Sequence, residues 1–243
     1  MKSKLVKLFR ISSKRYLINN LIRFHVAASV EHNATLRNLK KYPFNTIVDI
    51  GANRGQFALV ARNQFPKAKI ISFEPLKEPA NLFRKVFLND PDVILHEIAI
   101  GPTENETKMH VSNADDSSSL LEITDLQNDL FPGTSEKETR TIQVKPLDAV
   151  IKKEDIFSPA FLKMDVQGFE REALEGCKTL LPSFMFIYVE CSFVELYAGQ
   201  SLAPDIIAFL REQGFDLVGI YNLGYDKTGK AIQGDFLFKN KAY

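Results

Sequence analysis

Two cysteines in 243 residues, Cys177 and Cys191, leave no disulfide framework to read and no zinc-ligand spacing. Both are expected to be buried thiols in a reducing compartment, which places the chain in the cytoplasm. Histidine is scarce as well. His25, His32, His96 and His110 fall at no metal spacing, so surface or core roles are their default. No stretch approaches the run of about 18 apolar residues that a spanning helix needs. Charges interrupt every apolar run near the basic N-terminus, and no signal peptide is expected. Strong net charge is missing too: 31 bases against 30 acids give +1, with no global pull toward nucleic acid. The Phe and Tyr residues are scattered as core residues would be, not clustered as a base-stacking platform. Internal repeats and linkers are also lacking, and nothing sets an oligomeric state.

What is present is enough chain for one α/β domain with a sizeable core plus an extension. Charge is unevenly placed. Of the 31 bases and 30 acids, ten and one fall in residues 1–41, which leaves 21 and 29 in the remainder. The reading is therefore a basic helical arm over 1–41 and an acidic main domain over 42–243. Residues 4–30 are expected to be helical in one or two pieces, with Leu5, Leu8 and Phe9 on one stripe and Leu17, Leu21, Ile22 and Phe24 on another. The plain expectation is an arm packed on the domain as a lid. The sharper one is a basic amphipathic helix making peripheral contact with an anionic membrane. Asn33–Lys41 is a second short helix, stopped by Pro43.

The organising stretch is Asn45–Gly55, NTIVDIGANRG, read with Ile70–Pro75, IISFEP. Thr46, Ile47, Val48 and Ile50 suit a buried strand. Asp49 stands at its end. Gly51 and Gly55 then let the backbone turn tightly and admit a ligand against bare N–H groups. Phe57, Val60, Ala61 and Phe65 recur at helical spacing. Lys69–Phe73 is the second strand, closed by Glu74 at the distance where an acid grips a ribose diol. The pattern D-x-G-x-N-x-G is not the G-x-G-x-x-G of dinucleotide enzymes. It is nearest to the first motif of S-adenosylmethionine-dependent methyltransferases, where an acid before the turn holds the methionine ammonium and would repel a pyrophosphate.

Farther along, Glu78–Leu88 is a helix and 93–98 the third strand. Ala99, Ile100 and Gly101 follow where a nucleoside-binding sheet meets the adenine. Residues 108–111 and 139–144 read as half-exposed strands. Ser112–Glu138 between them is polar and without periodicity, a mobile lid or disordered insert. Residues 161–166 form a strand ending in Asp165, Gly168 turns the chain, and Glu170–Leu181 is a helix. The strand over 184–189 ends at Glu190. A helix over 203–213 and strands over 215–221 and 234–238 complete a doubly wound sheet.

These residues resemble the FkbM-type methyltransferase family. The stretches that carry the likeness are VDIGANRGQF at 48–57, SFEP at 72–75, SSSLL at 117–121, LKMDVQGFEREALEGC at 162–177 and VECSF at 189–193. The resemblance runs from about residue 45 to the C-terminus and leaves the arm unassigned. It implies a class I methyltransferase (Rossmann-like) fold with a seven-stranded sheet and an antiparallel last strand. S-adenosylmethionine is the implied cofactor, and the implied substrate is a hydroxyl of a sugar or other small metabolite. By position it makes Asp49, Gly51, Asn53 and Gly55 the methionine-side loop, Glu74 the ribose acid and Asp165 the acid beside the transferred methyl.

Ligands of open α/β sheets sit outside the carboxyl ends of the strands, where Asp165 and Glu190 both fall on strands expected to be neighbours. A hydroxyl attacks poorly until its proton can leave, so Asp165 is expected to be the base or substrate clamp and Glu190 its partner. Lys163, two residues earlier on the same face, would orient or neutralise Asp165. Glu170 is expected to serve its own helix start. A divalent cation held by Asp165 and Glu190 is the second arrangement, with no third ligand evident. Three other readings compete. The basic arm suggests a nucleic-acid or protein methyltransferase, but KMDVQG lacks the Asn/Asp-Pro-Pro-aromatic turn that serves exocyclic base nitrogens, and no nucleic-acid partner is expected. A non-catalytic cofactor-binding protein would have had less reason to retain both Asp49 and Asp165. An NAD oxidoreductase would need a different third glycine.

Overall fold

Ile47 and Val48 are adjacent on one strand and lie in different cores. The two-residue period of a strand sends neighbours to opposite faces, and here both faces are covered. A computed structural model describes residues 15–243. The stripe expected from Leu5, Leu8 and Phe9 lies outside the described residues.

Seven strands form the main sheet in the order β3-β2-β1-β7-β8-β10-β9. They are β1 Thr46–Ile50, β2 Lys69–Phe73, β3 Val93–His96, β7 Ala160–Met164, β8 Phe186–Ser192, β9 Phe215–Tyr225 and β10 Ala231–Asn240. The first five pair in parallel, and β10 runs antiparallel between β8 and β9. This is the class I methyltransferase sheet with its reversed strand. On one face Val48, Leu162, Val189 and Phe236 pack under α7 (Glu170–Gly176) and α8 (Ala203–Glu212). On the other, Ile47, Phe161, Tyr188 and Leu237 share a core with α3 (Gln56–Gln64) and with the arm residues Leu17, Val26, Val30 and Leu36.

Several boundaries differ from those read in the sequence. The arm helix α1 (Arg15–Phe24) does not continue to residue 30. His25 takes φ +56° and its N–H bonds Leu21 O, a left-handed cap that ends the helix. The next helix, α2 (Asn33–Asn38), is likewise shorter than 33–41. The helix after Gly168 stops at Gly176, where a Cβ would lie 2.2 Å from Gly101 O. Two strands expected near the centre of the chain lie outside the main sheet. β4 (Ala99–Ile100), β5 (Asn105–Ser112) and β6 (Glu136–Lys145) make a separate three-stranded sheet.

The polar stretch between β5 and β6 has structure of its own. It holds a 3-10 turn at Asp115–Ser117 and α5 (Asp125–Leu130), whose cap Thr124 accepts from the N–H of Gln127. The N–H of Ser119 bonds His110 O, and Tyr197 Oη approaches Ser117 O at 3.2 Å. Sequence periodicity could not show this order, because its partners lie up to 80 residues away.

Candidate active site

The carboxyl ends of β1, β2, β7 and β8 open into a cavity of about 640 Å³. That lies within the usual range of small-molecule sites, about 300–1,000 Å³. Its floor is the turn after β1. The N–H groups of Gly51 and Ala52 both donate to Phe73 O, at 3.1 and 2.9 Å, and lock the turn to β2. Gly51 takes φ +78°, and a Cβ there would sit 1.8 Å from Asp165 O. Only glycine serves at this position. Gly55, with φ +89°, abuts the rings of Phe83 and Phe87 below the turn.

Glu74 directly follows β2 on the cavity wall, 5% exposed. Its two oxygens accept from the N–H of Asn53 at 2.9 Å and of Leu76 at 2.8 Å. Burial raises its carboxyl to about 7, against the pull of those two bonds. Each oxygen keeps a lone pair for a further donor. Ala99 lies on the same wall with Leu76, Ile98, Ile100 and Phe169, which together make an apolar slot. Arg54, beside the turn, pairs with Asp115 at 2.5 Å and ties the stretch between β5 and β6 to the floor.

Asp49 is placed differently from the other residues of the turn. It is fully buried and stands behind the wall, and neither of its oxygens has a hydrogen-bond partner. The register sets it opposite Lys163, whose Nζ lies 3.3 Å from Asp49 Oδ1 without hydrogen-bond alignment. That same Nζ donates to Gly51 O at 3.0 Å and lies 3.7 Å from Asp165 Oδ2. Burial works to lower the Lys163 ammonium, but Asp49 and Asp165 outweigh it and hold the group above its ordinary value. Burial raises the Asp49 carboxyl in turn, with Lys163 opposing. Lys163 therefore joins the turn after β1 to the end of β7.

Asp165 and Glu190 come together as expected, one residue past the paired Met164 and Val189. Glu190 lies inside its strand, not beyond it, because β8 runs on to Ser192. Gln167, with φ +55°, separates the two acids. Its Nε2 donates to Asp165 Oδ1 at 2.7 Å and to Glu190 Oε2 at 2.9 Å. Tyr197 O–H donates to Gln167 Oε1 at 2.7 Å, which fixes the direction of the amide. Ser119 O–H donates to Gln167 O at 2.5 Å. The other Glu190 oxygen accepts from Gln233 Nε2 at 3.0 Å. Burial, and then Asp165, push the Glu190 carboxyl well above its ordinary value.

The far wall was not read from the sequence. Asp235 on β10 pairs in register with Glu190 and accepts from Asn222 Nδ2 at 2.6 Å and Tyr188 O–H at 3.0 Å. His32, from the arm, brings Nδ1 to 3.2 Å from Tyr188 Oη and 3.5 Å from Asp235 Oδ2. Ser29 and His32 both face the cavity, so the arm closes one side of it. No local signal marks Asp235 or His32, because each is given its place by segments far along the chain. Glu170 does not face the reaction. Its carboxylate accepts from the N–H groups of Val166 and Gly168 at 2.9 and 3.3 Å, and burial raises it to about 7. It braces the turn ahead of its helix. No group of three or more His, Cys, Asp or Glu side chains is placed to hold a metal ion among the described residues.

The methyltransferase FkbM domain model matches residues 49–217, more than half of the chain. The 2-O-methyltransferase NoeI of Sinorhizobium fredii (strain NBRC 101917 / NGR234) is 29% identical over 88% of this chain and 86% of its own. The methyltransferase sdnD of Sordaria araneosa is 26% identical over 77% of this chain and 79% of its own. Among solved structures, precorrin-6y C5,15-methyltransferase from Geobacter metallireducens GS-15 superposes with a TM-score of 0.48 at 12% identity, covering 89% of this chain and 93% of that one.

Proposed function

Because this chain belongs to the FkbM methyltransferase family and so transfers methyl groups from S-adenosylmethionine, we propose that its acceptor is a hydroxyl of a neutral small molecule, a sugar or glycoconjugate. The observation that carries this reading is the placement of Asp165, on the cavity wall, between the glycine floor and a far wall of amides and carboxyls. That wall, made by Gln233, Asn222, Asp235 and Glu190, offers hydrogen bonds suited to a polyol. The name of the relative NoeI, a 2-O-methyltransferase, supports transfer to oxygen.

The residues present fit the cofactor. Gly51 lets the turn close against Asp165 O and form the cavity floor, and Glu74 offers a buried carboxylate with free lone pairs. In this reading Gly51, Asn53 and Gly55 shape the methionine side and Glu74 accepts from the ribose hydroxyls. Ala99 lines the adenine slot, and Asp49 adds its charge from behind the wall through Lys163. The sulfonium supplies an activated methyl carbon and its own leaving group. Asp165 accepts the acceptor hydroxyl's proton, a contribution of about 10²–10⁴ in rate. Gln167 keeps Asp165 and Glu190 apart, and Lys163 holds Asp165 toward the floor. The cavity walls exclude water, so the fixed groups act at short range and low dielectric. A divalent cation between Asp165 and Glu190 would have to displace the Gln167 amide that already bridges them.

The test is transfer from methyl-labelled S-adenosylmethionine to a panel of neutral saccharides. The expected product is an alkali-stable methyl ether. An alkali-labile ester, or label on protein or RNA alone, would contradict the proposal.

A further inference from the structure

A second cleft lies on the opposite side of the arm, between the end of α1 and the end of α4 (Lys77–Val86). Its walls carry Arg23 and Lys85, together with Arg62, which is neutralised by Asp90 at 2.7 Å. Among the described residues, Arg23, over the Phe24 ring, and Lys85 have no carboxylate partner, and both sit in the last turn of a helix, where they offset its dipole. That role explains the charges and leaves the apolar groups beside them unexplained. Leu88, on the cleft wall, is 79% exposed, and Ile22, next to Arg23, is 70% exposed. The 14 residues that lead into α1 add Lys2, Lys4, Lys7, Arg10 and Lys14, no acid, and the interleaved apolar residues Leu5, Val6, Leu8 and Phe9.

We propose that this face docks the protein on an anionic lipid bilayer. Among the described residues, the cleft's cations without a carboxylate partner are Arg23 and Lys85, and its one acid, Asp90, is already paired with Arg62. An anionic surface attracts both cations. Exposed Ile22 and Leu88 favour lipid over nucleic acid, because burying aliphatic groups at the acyl boundary is rewarded and a phosphate backbone offers no such partner. Two signals, charge and apolar insertion, together give the reversible attachment that neither gives alone. The cleft is separate from the cofactor cavity, so docking leaves the mouth of that cavity to other ligands.

Flotation of the full chain with vesicles tests this. Binding is expected to vesicles of phosphatidylcholine mixed with phosphatidylglycerol, not to phosphatidylcholine alone, and to fall steeply with added salt. The double variant Arg23→Gln, Lys85→Gln should weaken partitioning about 25-fold, from about fivefold for each cation. Ile22→Asp with Leu88→Asp should abolish it. All four positions are surface residues, and unchanged thermal melts would confirm folding. Equal binding to both vesicle types, or none to either, would overturn the proposal. A gel shift of RNA at the same salt without vesicle binding would replace lipid with nucleic acid as the partner.

Discussion

The two ends of the cavity are built in different ways. The floor is made of backbone: Gly51, Ala52 and Asn53 in one turn, held by Phe73 O and by Glu74. The acceptor end is made of side chains from five separate places, His32, Asp165 with Gln167, Glu190, Asn222, and Gln233 with Asp235. A backbone cradle is indifferent to most substitutions except at its glycines, and it binds one invariant ligand. A side-chain cluster can be retuned one residue at a time. Under the proposed function, that difference would let the acceptor groups change while the cofactor cradle stays.

The sharpest test of the division is Asp165→Asn. Turnover should drop about 10²–10⁴-fold while cofactor affinity stays within a few fold, read by single-turnover kinetics and calorimetry. Equal losses in both would merge the two ends.

Next comes pH. Glu74 at the floor and Glu170 beneath the acceptor end are both raised from 4.5 to about 7 in the folded chain. A carboxyl raised on folding binds more protons in the native state than in the unfolded one. Stability therefore falls as pH rises from 4.5 to about 7, by ~3 kcal/mol for each group. Melting of the cofactor-free protein across that window should show the loss. Saturating S-adenosylhomocysteine should remove the share of Glu74, whose ionised form its ribose would favour, and leave that of Glu170.

Smaller effects belong to the groups that hold the acids. Gln167→Ala removes the amide between Asp165 and Glu190 and should cost roughly 10- to 100-fold in turnover, at about 1.5–3 kcal/mol for a hydrogen bond to a charged group. The pH profile of turnover should shift with it, because the two carboxyls then face each other directly. Tyr197→Phe loses the bond that orients Gln167 and the longer approach to Ser117 O. A few-fold loss is expected, from about 0.5–1.5 kcal/mol, with no change in cofactor binding.

The same contrast governs what the sequence makes legible. Asp49, Gly51, Gly55 and Glu74 lie within 26 residues, and strand, turn and strand leave a local signature. Asp165 was readable for the same reason, as the end of a buried strand before a glycine. Gln167 was in plain view within KMDVQG, yet its role depends on Tyr197 and Glu190, 30 and 23 residues away. His32 and Asp235 meet across the whole domain, and no local pattern marks such a pair. Asp49 reads in the sequence as a cofactor acid at a strand end, and only the register with Lys163 shows that it stands behind the wall. The stretch from Ser112 to Glu138 lacks periodicity because its order comes from bonds to distant segments, not from a repeating face.

The central claim is that the glycine floor and Glu74 hold the cofactor. Calorimetric titration of S-adenosylhomocysteine into the wild-type protein and into Glu74→Ala tests it most directly. One saturable site is predicted, weakened roughly 10- to 100-fold in the variant, the range for charged hydrogen bonds to the ribose. Unchanged affinity in Glu74→Ala, or no heat from folded wild-type protein, would contradict it.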